Sequence, residues 1–286
     1  MKPLARLAPF GLLSLAALTV GCAVAAASGV SAVTWLRNPI AWSLGALAAM
    51  GLARRAGPRT ALAVLLMTPI ALAGSLLGAG QLGVHRWIDL GPLHLNVAEV
   101  LLPSAAVALA GQCRGWRWIV AGVVITLLVL QPDASQATAF GGALIALLSL
   151  ANLSRPVRVA GMVAVGVAIA VSWLRPDPLA PVREVEEIMH LAWALSPLAA
   201  VAAWVALIAA VGSPALMKTP GDRGASRALC AYAVLSTLVP LIGPFPVPLV
   251  GMAMSPILGL WLGVGLLVSR ARNAAVSKNT PAASGD

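Results

Sequence analysis

Runs of about 15 to 25 apolar residues recur along the whole chain, each close to the length that carries a helix across a hydrocarbon core of roughly 30 Å. They lie near residues 9–29, 40–54, 60–80, 96–112, 117–131, 135–152, 157–174, 188–212, 226–243 and 247–269, separated by short polar or Pro/Gly-bearing connections. Of the 286 residues, 60% are hydrophobic and 10% charged, whereas soluble domains carry about 25% charged residues. The expectation is an all-α, polytopic membrane protein of about ten transmembrane helices in one bundle. Runs two, five and ten are short enough to be re-entrant or tilted elements, which leaves eight or nine spans open.

The basic residues orient these spans. With the N-terminus in the cytoplasm and ten crossings, Lys2, Arg6, Arg54, Arg55, Arg59, Arg114, Arg117, Arg155, Arg158, Lys218, Arg223, Arg227, Arg270, Arg272 and Lys278 fall in cytoplasmic segments. Of the 19 Lys and Arg residues, only Arg37, Arg86, Arg175 and Arg183 fall outside. This is the positive-inside bias, and it places both termini in the cytoplasm. The net charge of +10 is spread over many loops and forms no stripe or patch, which argues against a nucleic-acid partner. The acids run the other way. Asp89, Asp133, Asp177, Glu184, Glu186 and Glu187 fall in outer loops and Glu99 lies just inside the outer end of a span, leaving Asp222 and Asp286 inside. Any acid chemistry therefore belongs to the outer face.

Residues 1–270 read as a single membrane domain and 271–286 as a short, disordered cytoplasmic tail. The first span, although preceded by Lys2 and Arg6, reads as retained: its removal would invert the charge bias of every later loop. Cys22, Cys113 and Cys230 are isolated and read as small core residues, with no disulfide or zinc spacing. Proline recurs within the spans at Pro69, Pro103, Pro197, Pro240 and Pro256, where it can kink a helix and free a carbonyl.

Three polar stretches interrupt the apolar pattern. In "HRWIDLGPLHLNVAE", residues 85–99, Trp87, Ile88, Leu90, Leu93 and Leu95 suit the outer interface, with Arg86 and Asp89 facing water and Gly91-Pro92 breaking the segment. Glu99 sits about one turn inside span four, with Asn96 on the same helical face. An acid at that depth either faces a wet cavity with a functional role or forms an ion pair with Arg86. Arg86 offers a planar fork suited to a pyrophosphate or to a lipid headgroup. In "LQPDASQATAF", Asp133 either caps the next helix, which begins at Ser135 or Gln136, or serves the same outer site. In "RPDPLAPVREVEEIMH", the acids Asp177, Glu184, Glu186 and Glu187 cluster. With an early start of span eight, Glu186 and His190 share a face and Arg183 can pair with Glu187. Such a cluster is either a solvated loop, or a source of a general base or of oxygen ligands for a divalent cation.

The same stretches carry a family resemblance. "HRWIDLGPLHLNVAE" resembles the "RRWI-LG-----QPSE" signature of the SEDS family (shape, elongation, division and sporulation; FtsW/RodA/SpoVE type). "LQPDASQATA" resembles its "QPD-GTA" segment, and "LVPLIGPFPVPLVGMAMSPILGLWLGVGLLVS" its last two helices around "G-PLPF-SYGGSS". The order is the same, and the resemblance covers most of the chain. The departures are specific. Asn96, Val97 and Ala98 stand where the family has Gln-Pro-Ser, and Leu102 where it has Lys. Gly251, Met252, Ala253, Met254, Ser255 and Pro256 replace "SYGGSS". Val185 aligns with the family's catalytic Asp, with Glu184 and Glu186 on either side.

The resemblance implies a peptidoglycan glycosyltransferase of the hexosyltransferase class, acting on lipid II at the outer face of the bacterial inner membrane in cell division or cell-shape maintenance. It assigns Glu186 as the base, Glu99 and Asp133 as catalytic partners, and Arg86, Trp87 and Asn96 as substrate contacts. It assigns no definite metal ligand, although a divalent cation (Mg or Mn) is compatible with such a site. Implied partners are lipid II or another undecaprenyl-linked sugar, a class B penicillin-binding protein, division or elongation complex proteins, and membrane lipids. Two alternatives stand beside this reading: a catalytically inactive SEDS-like scaffold that binds lipid-linked precursor or division proteins, and a small-solute or lipid transporter.

Overall fold

In the computed structural model, residues 3–78, 80–91, 93–110, 115–175, 177–217 and 223–279 are described. The chain runs α1 (Pro3–Ala27), α2 (Ala32–Arg55), α3 (Pro58–Ser75), β1 (Trp87–Leu90), β2 (Leu93–Asn96), α4 (Val97–Leu109), α5 (Gly115–Leu130), α6 (Ala134–Leu150), α7 (Arg155–Leu174), α8 (Arg183–Glu186), α9 (Ile188–Leu195), α10 (Pro197–Leu216), α11 (Arg223–Leu238) and α12 (Met254–Asn279). Six helices are long and apolar enough to cross a membrane, and α4, α5 and α6 are shorter apolar helices. With α2 these make ten main helices among the described residues, the short α8 and α9 preceding α10. The protein is an all-α polytopic membrane bundle. Cys113, Lys2, Arg114, Lys218, Asp222, Pro92 and the tail beyond residue 279 lie outside the described residues.

Of the three ambiguous runs, two and ten are long helices, and five is the 16-residue α5. α2 has 24 residues because it begins at Ala32, ahead of the apolar run, and takes in Arg37 and Asn38. The buried Asn38 amide donates to the Gly251 carbonyl at 2.8 Å, which makes a polar residue tolerable there. α12 has 26 residues but starts at Met254, so residues 247–253, which read as the start of a span, form an irregular loop. Proline placement also differs. Pro69 and Pro103 lie inside helices, whereas Pro197 opens α10 behind Ser196, whose hydroxyl accepts from Ala199 N at 3.0 Å. Pro suits the first helical position because no intrahelical partner awaits its missing N–H.

α12 is the central post. It packs on α2 and α4, and Trp261 stacks edge-on against Phe10 (4.9 Å) and Trp42 (5.3 Å). Lipid supplies no hydrophobic force between helices, so close backbone approach does the work. A Cβ on Gly259 would lie 1.9 Å from the Glu99 carbonyl oxygen and 3.1 Å from Val100 Cα. The obstacle is helix backbone, which cannot rotate away. Gly259→Ala is therefore expected to lower stability by about 3 kcal/mol, read as a fall in the unfolding midpoint of detergent-purified protein. An unchanged midpoint would show that α4 and α12 do not meet here.

At one end of the bundle sits the one two-stranded sheet among the described residues, in the stretch before α4 that the sequence places at the outer interface with a break at Gly91-Pro92. β1 and β2 pair antiparallel in the register Trp87↔Asn96 to Leu90↔Leu93. Gly91, at φ 62°, supplies the left-handed turn that a two-residue hairpin requires. The β-branched and aromatic content of the two strands is modest. The pairing comes from that turn and from anchoring at both ends, where Val97 N donates to the Arg86 carbonyl at 3.1 Å.

Candidate functional site

The hairpin end holds a cavity of about 450 Å³. Its wall is assembled from five places: the start of α2, the hairpin with the chain leading into it and the first turn of α4, the α5–α6 corner, residues 177–186 with α8, and the loop leading into α12. The six residues given catalytic or substrate roles from the sequence all line it: Arg86, Trp87, Asn96, Glu99, Asp133 and Glu186. Segments far apart in the chain converge here because each is the polar end of an apolar helix, and all those helix ends lie on one side of the bundle.

Capping chemistry fixes two of these side chains. Asn96 ends β2 and caps α4, its Oδ1 accepting from Ala98 N (2.9 Å) and Glu99 N (3.3 Å), while its own N–H donates to Ser255 Oγ at 2.9 Å. Asp133 caps α6, its Oδ1 accepting from Gln136 N (3.1 Å) and Ser135 Oγ (2.8 Å). Both satisfy helix N–H groups that have no intrahelical partner.

Arg86 differs from its expected setting. Rather than facing water it is buried, 6% exposed, and can be so because Nε and Nη2 find acceptors. Nη2 donates to Asp177 Oδ2 at 2.8 Å and to the Pro132 carbonyl; Nε donates to the Gln131 carbonyl at 3.4 Å and lies 3.7 Å from Asp133 Oδ2. The ion pair considered between Arg86 and Glu99 is not formed. Asp177, which the sequence offered only as one acid among several in its loop, is the true partner. Glu99 is 4% exposed, and among the described residues its carboxylate takes no hydrogen bond and no ion pair.

Glu186 projects into the cavity from the last residue of α8. Its carboxylate accepts from the Val182 backbone N–H. Burial raises its pKa above the ordinary carboxylate value, and the charges of Asp177 and Glu187 add to that shift; the Val182 hydrogen bond and Arg86 oppose it. The continuous early helix expected here is broken. Glu187 adopts a non-helical conformation between α8 and α9, so Glu186 and His190 do not share a helix face. Among the described residues no ion pair joins Arg183 to Glu187. Val185, the neighbour that aligns with the family's acid, also lines the cavity, is partly buried against the hydrophobic core and gives its carbonyl to Val247 N at 3.1 Å.

Arg37, at the cavity end of α2, was not singled out in the sequence. It lines the cavity, is exposed, and pairs with no carboxylate among the described residues. Asp133 and Asp177 are committed to Arg86, and among the described residues no three His, Cys, Asp or Glu side chains converge.

This architecture has known counterparts. The chain superposes on the crystal structure of Thermus thermophilus rod shape determining protein RodA with a TM-score of 0.64 and 21% identity over 92% of this chain and 96% of that one. The fold is that of RodA. An Asp-to-Ala mutant of the same Thermus protein gives a TM-score of 0.68 at 20% identity, with the same coverage. The RodA-like chain in a structure described as structural coordination of polymerization and crosslinking by a peptidoglycan synthase complex gives 0.65 at 21% identity, over 92% of this chain and 97% of that one. No family profile and no curated protein sequence matches the chain. The RodA fold thus agrees with the SEDS resemblance of the three polar stretches. The departures from the family pattern also find structural expression. Asn96 performs as a cap, and Ser255, the Ser kept at "SYGGSS", ties the hairpin to α12.

Proposed function

We propose that the chain is a SEDS-type glycosyltransferase that polymerises a lipid-linked disaccharide at the outer face of a bacterial inner membrane. Both termini then lie in the cytoplasm and the hairpin end outside, which is also the arrangement the basic residues favour. One observation carries the reading: a single cavity at that end is lined by the carboxylate of Glu186, by Arg37, which has no carboxylate partner among the described residues, and by the Arg86–Asp133–Asp177 cluster. Glu186 takes the proton of the acceptor hydroxyl, whose oxygen attacks the anomeric carbon as the bond to undecaprenyl pyrophosphate breaks. The pyrophosphate leaves carrying the bonding pair. Arg37 meets that growing charge. Arg86, held through Nε and Nη2, sets the shape of the phosphate-facing wall with Asn96 and Trp87, and Glu99 and Asp133 fix its deep side.

A class B penicillin-binding protein is the proposed partner, by likeness to the RodA-like chain in a peptidoglycan synthase complex. A noncatalytic scaffold is the second reading, favoured by the apolar, core-packed Val185 in place of an acid. Purified protein incubated with lipid II, alone and with a class B penicillin-binding protein, is expected to yield a glycan ladder. Binding of lipid II without polymer under every pairing would replace the first reading with the second.

A further inference from the structure

Beneath the main cavity, toward the bundle interior, lies a second and much smaller one of about 10 Å³, room for a single water-sized occupant. Glu99 lines both. The walls of the small pocket come from α4, α6, α11, α12 and the loop before α12, and they offer oxygen atoms as acceptors. Tyr232 spends its hydroxyl hydrogen on Gln136 Oε1 at 2.5 Å, Ser236 on the Ala233 carbonyl at 2.9 Å, and Ser135 on Asp133 Oδ1 at 2.8 Å. What these hydroxyls turn toward the pocket is lone pairs. The Gln136 amide donates to Ser135 Oγ at 3.4 Å. Pro246, Pro248 and Pro256 complete the wall, and proline has no backbone N–H to give.

Charge points the same way. The Glu99 carboxylate is buried, receives no hydrogen bond among the described residues and faces this pocket. Arg86 cannot neutralise it, since Asp133 and Asp177 already outnumber that guanidinium. A neutral water would satisfy lone pairs and leave the charge uncompensated, and an isolated carboxylate in such surroundings is costly, so the site takes up either a proton or a cation, and the two compete for Glu99. Only one carboxylate lines the pocket together with three hydroxyls, so a single positive charge balances it.

We propose that this pocket is a binding site for one monovalent cation of sodium size, held by Glu99 with the hydroxyl oxygens of Ser135, Tyr232 and Ser236. The site lies at the deep end of the cavity assigned to substrate but does not depend on the glycosyl-transfer reading, and its test uses no activity. Detergent-purified full-length protein is titrated with sodium-22 at constant ionic strength, choline replacing sodium. Saturable binding of about one ion per chain is expected, accompanied by a rise in the unfolding midpoint as sodium replaces choline. Glu99→Gln abolishes the binding, and Ser236→Ala weakens it about fivefold by removing one oxygen. Absence of saturable binding in the unsubstituted protein, or undiminished binding in Glu99→Gln, overturns the assignment. If Glu99→Gln does not fold, unchanged affinity in Ser236→Ala overturns it equally.

Discussion

Glu186→Gln is expected to lower glycan polymerisation by about 10²- to 10⁴-fold, the usual contribution of a general base, while the protein stays folded and still binds lipid II. The substitution is nearly isosteric, and the side chain is partly exposed at the cavity wall, so packing changes little. Its amide oxygen can still accept from Val182 N–H; what is lost is the ability to take a proton. The loss therefore falls on kcat more than on KM. The pH dependence gives a second readout. Burial raises the Glu186 pKa above that of an ordinary carboxylate, and a base works only when deprotonated. Activity then falls as pH drops through that raised pKa, at a higher pH than an exposed glutamate would give. In Glu186→Gln this acid limb disappears from the residual rate. Activity equal to that of the unsubstituted protein would remove Glu186 from the chemistry and leave the scaffold reading in its place.

Arg86→Ala is expected to cost roughly 3–5 kcal/mol of stability, because it leaves two acids without their cation in a buried setting. Asp133 is 1% and Asp177 20% exposed in their side chains, so water recovers little of the loss at Asp133. The carbonyls of Gln131 and Pro132 lose a donor as well. Thermal unfolding in detergent reads the effect. Arg86→Lys recovers only part of it, since a single ammonium cannot span the donor positions that the guanidinium fork covers. Adding Asp133→Asn to Arg86→Ala separates charge from capping, because Asn caps a helix as well as Asp does. The double variant should be more stable than Arg86→Ala alone. If the two losses simply add, the charge-balance account of this cluster fails.

Much of this was legible in the chain. The apolar runs mark the traverses to within a few residues, since a helix in lipid must satisfy its backbone internally and stay apolar over its length. They mark termini poorly where a polar residue is buried against a partner: Asn38 lies in α2 because the Gly251 carbonyl awaits it, and nothing local in the sequence announces that contact. The six residues chosen for the site line one cavity because polar side chains in a chain this apolar have few places to go. Their partners were not legible. Glu99 and Arg86 lie on the same stretch and invite pairing, yet Arg86 turns to Asp133 and Asp177, 47 and 91 positions away in the chain.

The sequence by itself determined that the protein is a helical membrane bundle, which end gathers the acids, and which polar stretches meet there, because hydropathy and charge act residue by residue. Tertiary structure alone decided which carboxylates are neutralised, that Arg37 at the cavity has no carboxylate partner among the described residues, and that Val185 and Glu186 both reach the cavity. Those outcomes depend on distances between segments brought together by helix packing, and in a low-dielectric interior a few ångströms decide whether a charge is paired or stranded.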